Sequence, residues 1–153
     1  MRLLITKTGK KFFVRDTTQD YHCQFGFITA AELKKKSGSV TTNKGVELNI
    51  IEPQFIDLYQ KIKRGPQIVA PKDIASIVIE TGMNKNSTVI DAGGGSGALC
   101  LYLAHLCKKV TAYEVRDDFT KILEANKKFL NLKNITIKTK DIYDGIAEKN
   151  IDV

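Results

Sequence analysis

Thr88-Val89-Ile90-Asp91-Ala92-Gly93-Gly94-Gly95-Ser96-Gly97-Ala98-Leu99 is the stretch whose reading decides the fold. A β-branched, apolar run ends at Asp91, glycines follow, and apolar residues resume at helical spacing from Ala98. The stretch therefore predicts a strand, a tight turn and a helix. Glycines let the backbone approach a ligand and adopt positive φ, and the first N–H groups of the helix after Ser96 lack intrahelical partners. Such a corner suits a nucleotide-like ligand.

Two spacings overlap in it. Gly93, Gly95 and Ala98 fit the dinucleotide fingerprint G-x-G-x-x-G/A, in which phosphates sit on the helix N-terminus. Gly93, Gly95 and Gly97 fit G-x-G-x-G with an acid, Asp91, two positions before the first glycine, which resembles motif I of S-adenosylmethionine-dependent methyltransferases. An acid there repels a pyrophosphate but suits a ligand carrying a sulfonium and an ammonium. A glycine-rich turn without a ligand is the third reading.

Working outward, Pro71 opens a helix with Asp73 in its first turn and Ile74, Ile77 and Val78 on one face, ended by Gly82. Strand one is Thr88–Ala92, with a helix from about Ser96 to Cys107. Strand two, Val110–Glu114, ends on an acid. Asp117 is the expected N-cap of a helix carrying Phe119, Ile122, Leu123, Asn126, Phe129 and Leu130 along one stripe. Strand three, Ile135–Thr139, alternates apolar and polar residues as an edge strand does, so the sheet is expected to grow from the other side of strand one. Ile151-Asp152-Val153 reads as the start of strand four.

Three carboxylates then fall at the carboxyl ends of adjacent strands, where a doubly wound sheet binds its ligands. Asp91 or the glycine backbone is placed for an amino-acid moiety, Glu114 for ribose hydroxyls and Asp141 for an adenine amino group. Each also has a plainer reading: Glu114 paired with Arg116 or a lysine, and Asp141 capping the turn Asp141–Gly145.

Residues 1–52 lack long helical periodicity and carry short β-like runs at Arg2–Ile5, Lys11–Val14, Phe25–Ile28 and Val46–Ile51. A small, mostly antiparallel barrel or sandwich is expected there, with Lys34, Lys35 and Lys36 on a basic loop or helix end. Pro53 starts a helix, Gln54 to Ile62, followed by a linker to Pro66. The expected organisation is 1–52 a small β domain, 53–66 helix and linker, and 67–153 an α/β domain.

Of 153 residues, 42% are hydrophobic and 27% charged, as in a globular domain without a membrane span. With no signal-peptide segment, a cytoplasmic location is expected. Cys23, Cys100 and Cys107 show no C-x-x-C pairing, so reduced thiols and no metal site are expected. Residues 1–66 hold 12 Lys and Arg against 6 Asp and Glu, whereas 67–153 hold 12 against 11. The net charge of +7 thus belongs mainly to the first segment, and a nucleic acid is a natural partner for it. A merely solvated lysine-rich surface is the alternative. His105, mid-helix, and His22, in the β domain, are poor catalytic candidates.

The blocks Lys63-Arg64-Gly65-Pro66-Gln67-Ile68-Val69-Ala70-Pro71-Lys72-Asp73, Asp91–Leu99, Tyr113–Phe119 and Lys140–Ile146 together resemble the tRNA (adenine-N1)-methyltransferase family in its archaeal form, over nearly the whole chain. The R-G-P-Q-I-V-x-P-K-D block is the most specific of them. The resemblance implies a small N-terminal β-barrel-like domain followed by a Rossmann-like class I methyltransferase domain. It implies methyl transfer from S-adenosylmethionine to N1 of T-loop adenosines 57/58 of tRNA, by homotetramers with basic RNA-holding surfaces. Its cofactor contacts fall on Gln67, Asp91, Gly93, Gly94, Gly95, Ser96, Gly97, Ala98, Leu99, Glu114, Arg116 and Asp141. Its RNA contacts are expected at Lys34, Lys35, Lys36, Lys63 and Arg64. Many relatives place an aromatic or histidine before P-K-D, near the target base, where this chain has Ala70. The family's catalytic aspartate follows strand four, so none is expected within this chain and that residue is expected just beyond Val153. A non-catalytic RNA-binding relative and an NAD-type oxidoreductase domain are the alternative functions.

Overall fold

The structure is a computed structural model that describes residues 1–65 and 67–153; Pro66, part of the expected linker and of the R-G-P block, lies outside the described residues. It divides into two compact units, Met1–Asp57 and Leu58–Val153.

The first unit is built from β1 (Arg2–Ile5), β2 (Lys11–Val14), β3 (Tyr21–Cys23), β4 (Gly26–Ile28), β5 (Gly38–Thr41) and β6 (Glu47–Ile51). Leu4, Val14, Ile28, Val40, Leu48 and Ile50, from every strand but β3, form its core with Leu33. The strands make a four-stranded antiparallel sheet, β2-β1-β6-β5, and a separate hairpin, β3-β4. This corrects the expected barrel. Four strands of four or five residues leave β2 and β5 as edges, too little sheet to curl onto itself. A 3-10 turn at Glu32–Lys34, anchored by buried Leu33, carries Lys34; Lys35 and Lys36 follow it, exposed, into β5.

A short helix, α1 (Phe55–Tyr59), stops three residues earlier than its apolar pattern suggests, and turns replace its last part.

The second unit contains α2 (Pro71–Thr81), β7 (Thr88–Ala92), α3 (Ala98–Leu106), β8 (Lys109–Tyr113), α4 (Asp117–Phe129) and β9 (Ile135–Lys138). Its sheet is parallel in the order β7-β8-β9, with Val89 opposite Val110 and Val110 opposite Ile135. Val89, Val110, Ala112 and Tyr113 are buried among Leu101, Leu103 and Leu123 from the crossover helices. Gly82, at φ +64°, ends α2 as expected. Arg116, not Asp117, occupies the N-cap of α4, with no side-chain cap; Asp117 and Asp118 lie inside the first turn, where they complement the helix dipole. The final residues run along the edge of β7 that β8 leaves open: Asp152 N–H donates to Thr88 O and Ile90 N–H to Val153 O, both at 2.9 Å. No helix among the described residues is long and apolar enough to cross a membrane.

Past β9 the chain is tied back to the sheet. Glu148 accepts the Tyr113 hydroxyl and the Lys138 ammonium, and Lys138 Nζ also reaches Tyr113 Oη at 3.3 Å. The hydrogen bonds from Lys138 and Tyr113 hold the Glu148 carboxyl down at about 2, against an ordinary 4.5. A carboxylate depressed by folding stabilises above its unfolded value, and that contribution disappears as pH falls from about 4.5 towards 2. Glu148→Gln is therefore expected to lower stability at pH 7 and to match the parent chain near pH 2. Urea titrations at both pH values check this; an equal deficit at both would assign the loss to packing.

Candidate cofactor site

The glycine turn is set by its own backbone. Gly93 and Gly94 N–H both donate to Tyr113 O, at 2.9 and 2.8 Å, which pins the turn to the end of β8. Gly93, Gly95 and Gly97 all have positive φ. At Gly93 a Cβ would meet nothing within 4 Å, because that side of the turn faces open space. Gly97 differs: it is the α3 N-cap, and a Cβ there would run into Leu101 and Leu123.

Glu114, buried just past β8, braces the turn from below. Its Oε2 accepts Gly95 N–H at 2.7 Å, and its Oε1 accepts Arg116 N–H at 3.0 Å. The Arg116 guanidinium stays 3.7 Å from Oε1 and stacks 3.6 Å above the Phe119 ring. Both plainer and functional readings of Glu114 are compatible here, since each carboxylate oxygen can accept a second hydrogen bond.

Asp91, the penultimate residue of β7, lies beside Cys100 at the start of α3, whose thiol and backbone N–H favour its charged form. Burial is the larger effect and raises its pKa, and the nearby Glu114 charge adds to the rise. The buried Cys100 thiol is in turn pushed well above its ordinary value, first by burial and then by Asp91. Asp141 caps the 3-10 turn Ile142–Asp144, its Oδ1 accepting Tyr143 N–H at 2.9 Å.

The wall facing the glycines is the segment after α1. Buried Asn126, from α4, accepts Lys63 N–H at 2.9 Å and donates to Lys63 O and Ser96 O, both at 2.8 Å. Ser96 Oγ accepts Gly65 N–H at 3.1 Å. Two polar side chains thus hold the Lys63–Gly65 backbone beside the turn, leaving the Lys63 and Arg64 side chains exposed.

Three adjoining cavities result, and Gly93 lines all of them. One of about 230 Å³ lies between Gln67–Val69 and the turn from Asp91 to Leu99. A second, about 540 Å³, is bounded by Gln67, Glu114, Arg116 and Phe119. The third, about 400 Å³, runs from Glu114 and Val115 to Asp141 and Tyr143. The structure therefore brings together Gln67, Asp91, Gly93, Gly94, Gly95, Ser96, Ala98, Leu99, Glu114, Arg116 and Asp141. Gly97 lines none of the three and serves packing. Asn126 and Cys100 were missed as site-building residues. Asn126 did carry a signal, a polar side chain inside the apolar stripe of α4, whereas Cys100 looked like core.

The family described as ribosomal RNA adenine dimethylase matches residues 66–151. The chain belongs to that family. Among curated relatives, the tRNA (adenine(57)-N(1)/adenine(58)-N(1))-methyltransferase TrmI of Methanocaldococcus jannaschii is 25% identical over 99% of this chain and 64% of its own length. Among solved structures, a S-adenosylmethionine-dependent O-methyltransferase of Thermotoga maritima superposes with a TM-score of 0.84 at 34% identity, covering 98% of this chain and 59% of its own. The tRNA (m1A58) methyltransferase TrmI of Aquifex aeolicus gives 0.79 at 26% identity, covering 98% and 60%. The chain thus spans about three fifths of the length of these relatives. Their names agree on methyl transfer and differ on the acceptor.

The cofactor of this methyltransferase fold is S-adenosylmethionine, and the residues present fit it. An open glycine cradle can take a ligand backbone, and strand-end carboxylates suit a sulfonium and an ammonium better than a pyrophosphate.

Proposed function

We propose that this chain is the cofactor-binding portion of a tRNA (adenine-N1)-methyltransferase acting on T-loop adenosine 57/58, in the homotetrameric arrangement of the family it resembles. The observation that carries this reading is the row of Asp91, Glu114 and Asp141 at the ends of three adjacent parallel strands, around cavities sharing Gly93. In this reading Asp91, Gln67 and the turn from Gly93 to Leu99 hold the amino-acid moiety, and Glu114 with Arg116 holds the ribose. Asp141 then takes the adenine amino group. Bound S-adenosylmethionine supplies an electrophilic methyl carbon for the base nitrogen. Transfer is an in-line displacement, so the chain's residues contribute alignment and a negative field rather than a nucleophile. Support for an adenine acceptor comes from the family's name and from two of the relatives, all of which name that base. Exposed Lys34, Lys35, Lys36, Lys63 and Arg64 are the RNA contacts of this reading.

Calorimetric titration with S-adenosylhomocysteine tests it. Saturable binding is expected, and Gly95→Arg, whose Cβ would meet only Gly93 O at 3.8 Å and whose side chain starts from the lining of the cavity, is expected to abolish it. A folded chain that binds NAD but not S-adenosylhomocysteine would establish the oxidoreductase alternative instead. Binding of tRNA without either cofactor would leave the non-catalytic RNA-binding relative.

A further inference from the structure

The lysines that the cofactor site does not use gather at the other end of the same sheet. Lys108 and Lys109 lead into β8, Lys133 shortly precedes β9, Lys127 and Lys128 close α4, and Lys85 lies in the turn before β7. The topology brings them together. Lys108 and Lys109 N–H both donate to Ser87 O, at 3.0 and 3.3 Å. Asn134, next to Lys133, donates its Nδ2 to Ala104 O at 2.7 Å and Cys107 O at 2.9 Å and reaches Lys108 O at 3.4 Å. Lys127, Lys128 and Lys133 share one cleft of about 540 Å³. The acids of this edge are Glu80, Glu124 and Asp152. Glu124 is 3.7 Å from Lys127, and Asp152 Oδ2 accepts Thr88 N–H.

The opposite end has the reverse balance. In the three strand-end loops Asp91, Glu114, Asp117, Asp118, Asp141 and Asp144 outnumber Arg116, Lys138 and Lys140, and Lys138 is taken by Glu148. The near-neutral total of residues 67–153 therefore conceals a separation of charge along the strands, and Lys61, Lys63 and Arg64 ahead of them add three positive charges to the second unit. Lysines at a helix C-terminus are favoured by its dipole, which accounts for Lys127 and Lys128. It does not account for Lys108, Lys109 and Lys133, which lie outside α4.

We propose that this lysine edge of the second unit binds the phosphodiester backbone of the substrate RNA, away from the base that is methylated; the inference rests on the RNA-acceptor reading above. A carboxylate-rich mouth repels a polyanion, so attraction beyond that of Lys63 and Arg64 beside the glycine turn must come from elsewhere on the molecule. The five residues of β8 separate the two ends by roughly 16 Å at about 3.3 Å per residue. A duplex carries about one phosphate charge per 1.7 Å of axis, so a segment spanning that distance presents about nine. One RNA can then place a base at the acidic end and its backbone on the lysines.

The test is tRNA binding by fluorescence anisotropy over a range of NaCl concentrations, with S-adenosylhomocysteine binding measured on the same proteins. The variant Lys127→Gln/Lys128→Gln/Lys133→Gln is expected to weaken tRNA binding at least tenfold at low salt. It should also flatten the dependence of log K on log salt by about 2 to 3, since each lost phosphate contact removes about 0.7 to 0.9. Lys108→Gln/Lys109→Gln, which leaves α4 intact, is expected to flatten it by about 1 to 2. A control triple, Lys72→Gln/Lys121→Gln/Lys149→Gln, is expected to change the slope much less, and all variants should bind S-adenosylhomocysteine like the parent. Equal slopes in the edge and control triples would overturn the proposal, because attraction would then be spread over the whole surface. A parent chain that binds S-adenosylhomocysteine but no tRNA would overturn it together with the RNA-acceptor reading.

Discussion

Gly97→Ala is expected to destabilise the second unit by about 2 to 5 kcal/mol, a large share of the roughly 5 to 15 kcal/mol that holds a domain folded. Two penalties add at this position. Gly97 caps α3 at φ +94° and ψ 13°, and an L side chain in left-handed space costs roughly 1 to 2 kcal/mol. A Cβ would also collide with Leu123 and lie 2.6 Å from Leu101 Cδ1, and both leucines are fully buried. Overpacking of that kind costs about 1 to 3 kcal/mol. Gly95 supplies the contrast. It too has positive φ, at +54°, but its Cβ would meet only Gly93 O at 3.8 Å. Gly95→Ala should therefore cost about 1 kcal/mol, from backbone conformation alone. Urea unfolding followed by circular dichroism separates the two variants. Equal, small shifts of midpoint would show that Leu101 and Leu123 can move aside and that Gly97 is no packing position.

This contrast marks how far the sequence could be read. The pattern G-x-G-x-G identified the turn but not which glycine faces a ligand and which faces Leu123, because that depends on where the crossover helix α4 lands. The strands of the second unit were legible because β-branched and apolar residues cluster in them, Thr88-Val89-Ile90 in β7 and Val110–Tyr113, all buried, in β8. In the first unit β5 was not legible. Of Gly38–Thr41 only Val40 is buried, and a strand that begins with glycine and serine gives no alternation to detect. The barrel expectation failed for a related reason: strand runs reveal pairing partners poorly and closure not at all.

The strand-end acids show the same limit in the site itself. Their recurrence after three strands was visible, but two of the carboxylates turned out to hold backbone as well. Glu114 fixes Gly95 and Arg116, and Asp141 caps its own turn, while Asp91 lies beside Cys100 of α3. These bonds arrange the acids before any ligand arrives, which reduces the ordering needed on binding. The result is a site whose charge is positioned by the same hydrogen bonds that shape the glycine turn.

Asn126→Ala is expected to lower S-adenosylhomocysteine affinity at least tenfold while leaving most of the second unit folded. Asn126 is 3% exposed and lies 63 residues from Lys63 and 30 from Ser96 in sequence, so nothing local replaces its bonds. Alanine leaves three backbone groups without their partner. Lys63 is exposed and its N–H and carbonyl can turn to water, but Ser96 is buried. One stranded buried acceptor costs about 1 to 3 kcal/mol, and the cavity left by the amide adds to it. Relief comes from releasing the Lys63–Gly65 backbone, which moves the Gln67–Val69 wall away from the glycine turn. An affinity loss of tenfold corresponds to about 1.4 kcal/mol, well within the energy of the lost bonds. Ser96→Ala removes only the Gly65 tether and should give a smaller loss. Hydrogen exchange at Lys63 and Gly65, run beside the titrations, reports whether the wall has loosened. Unchanged exchange together with affinity within twofold of the parent would mean that the segment is held by something other than Asn126.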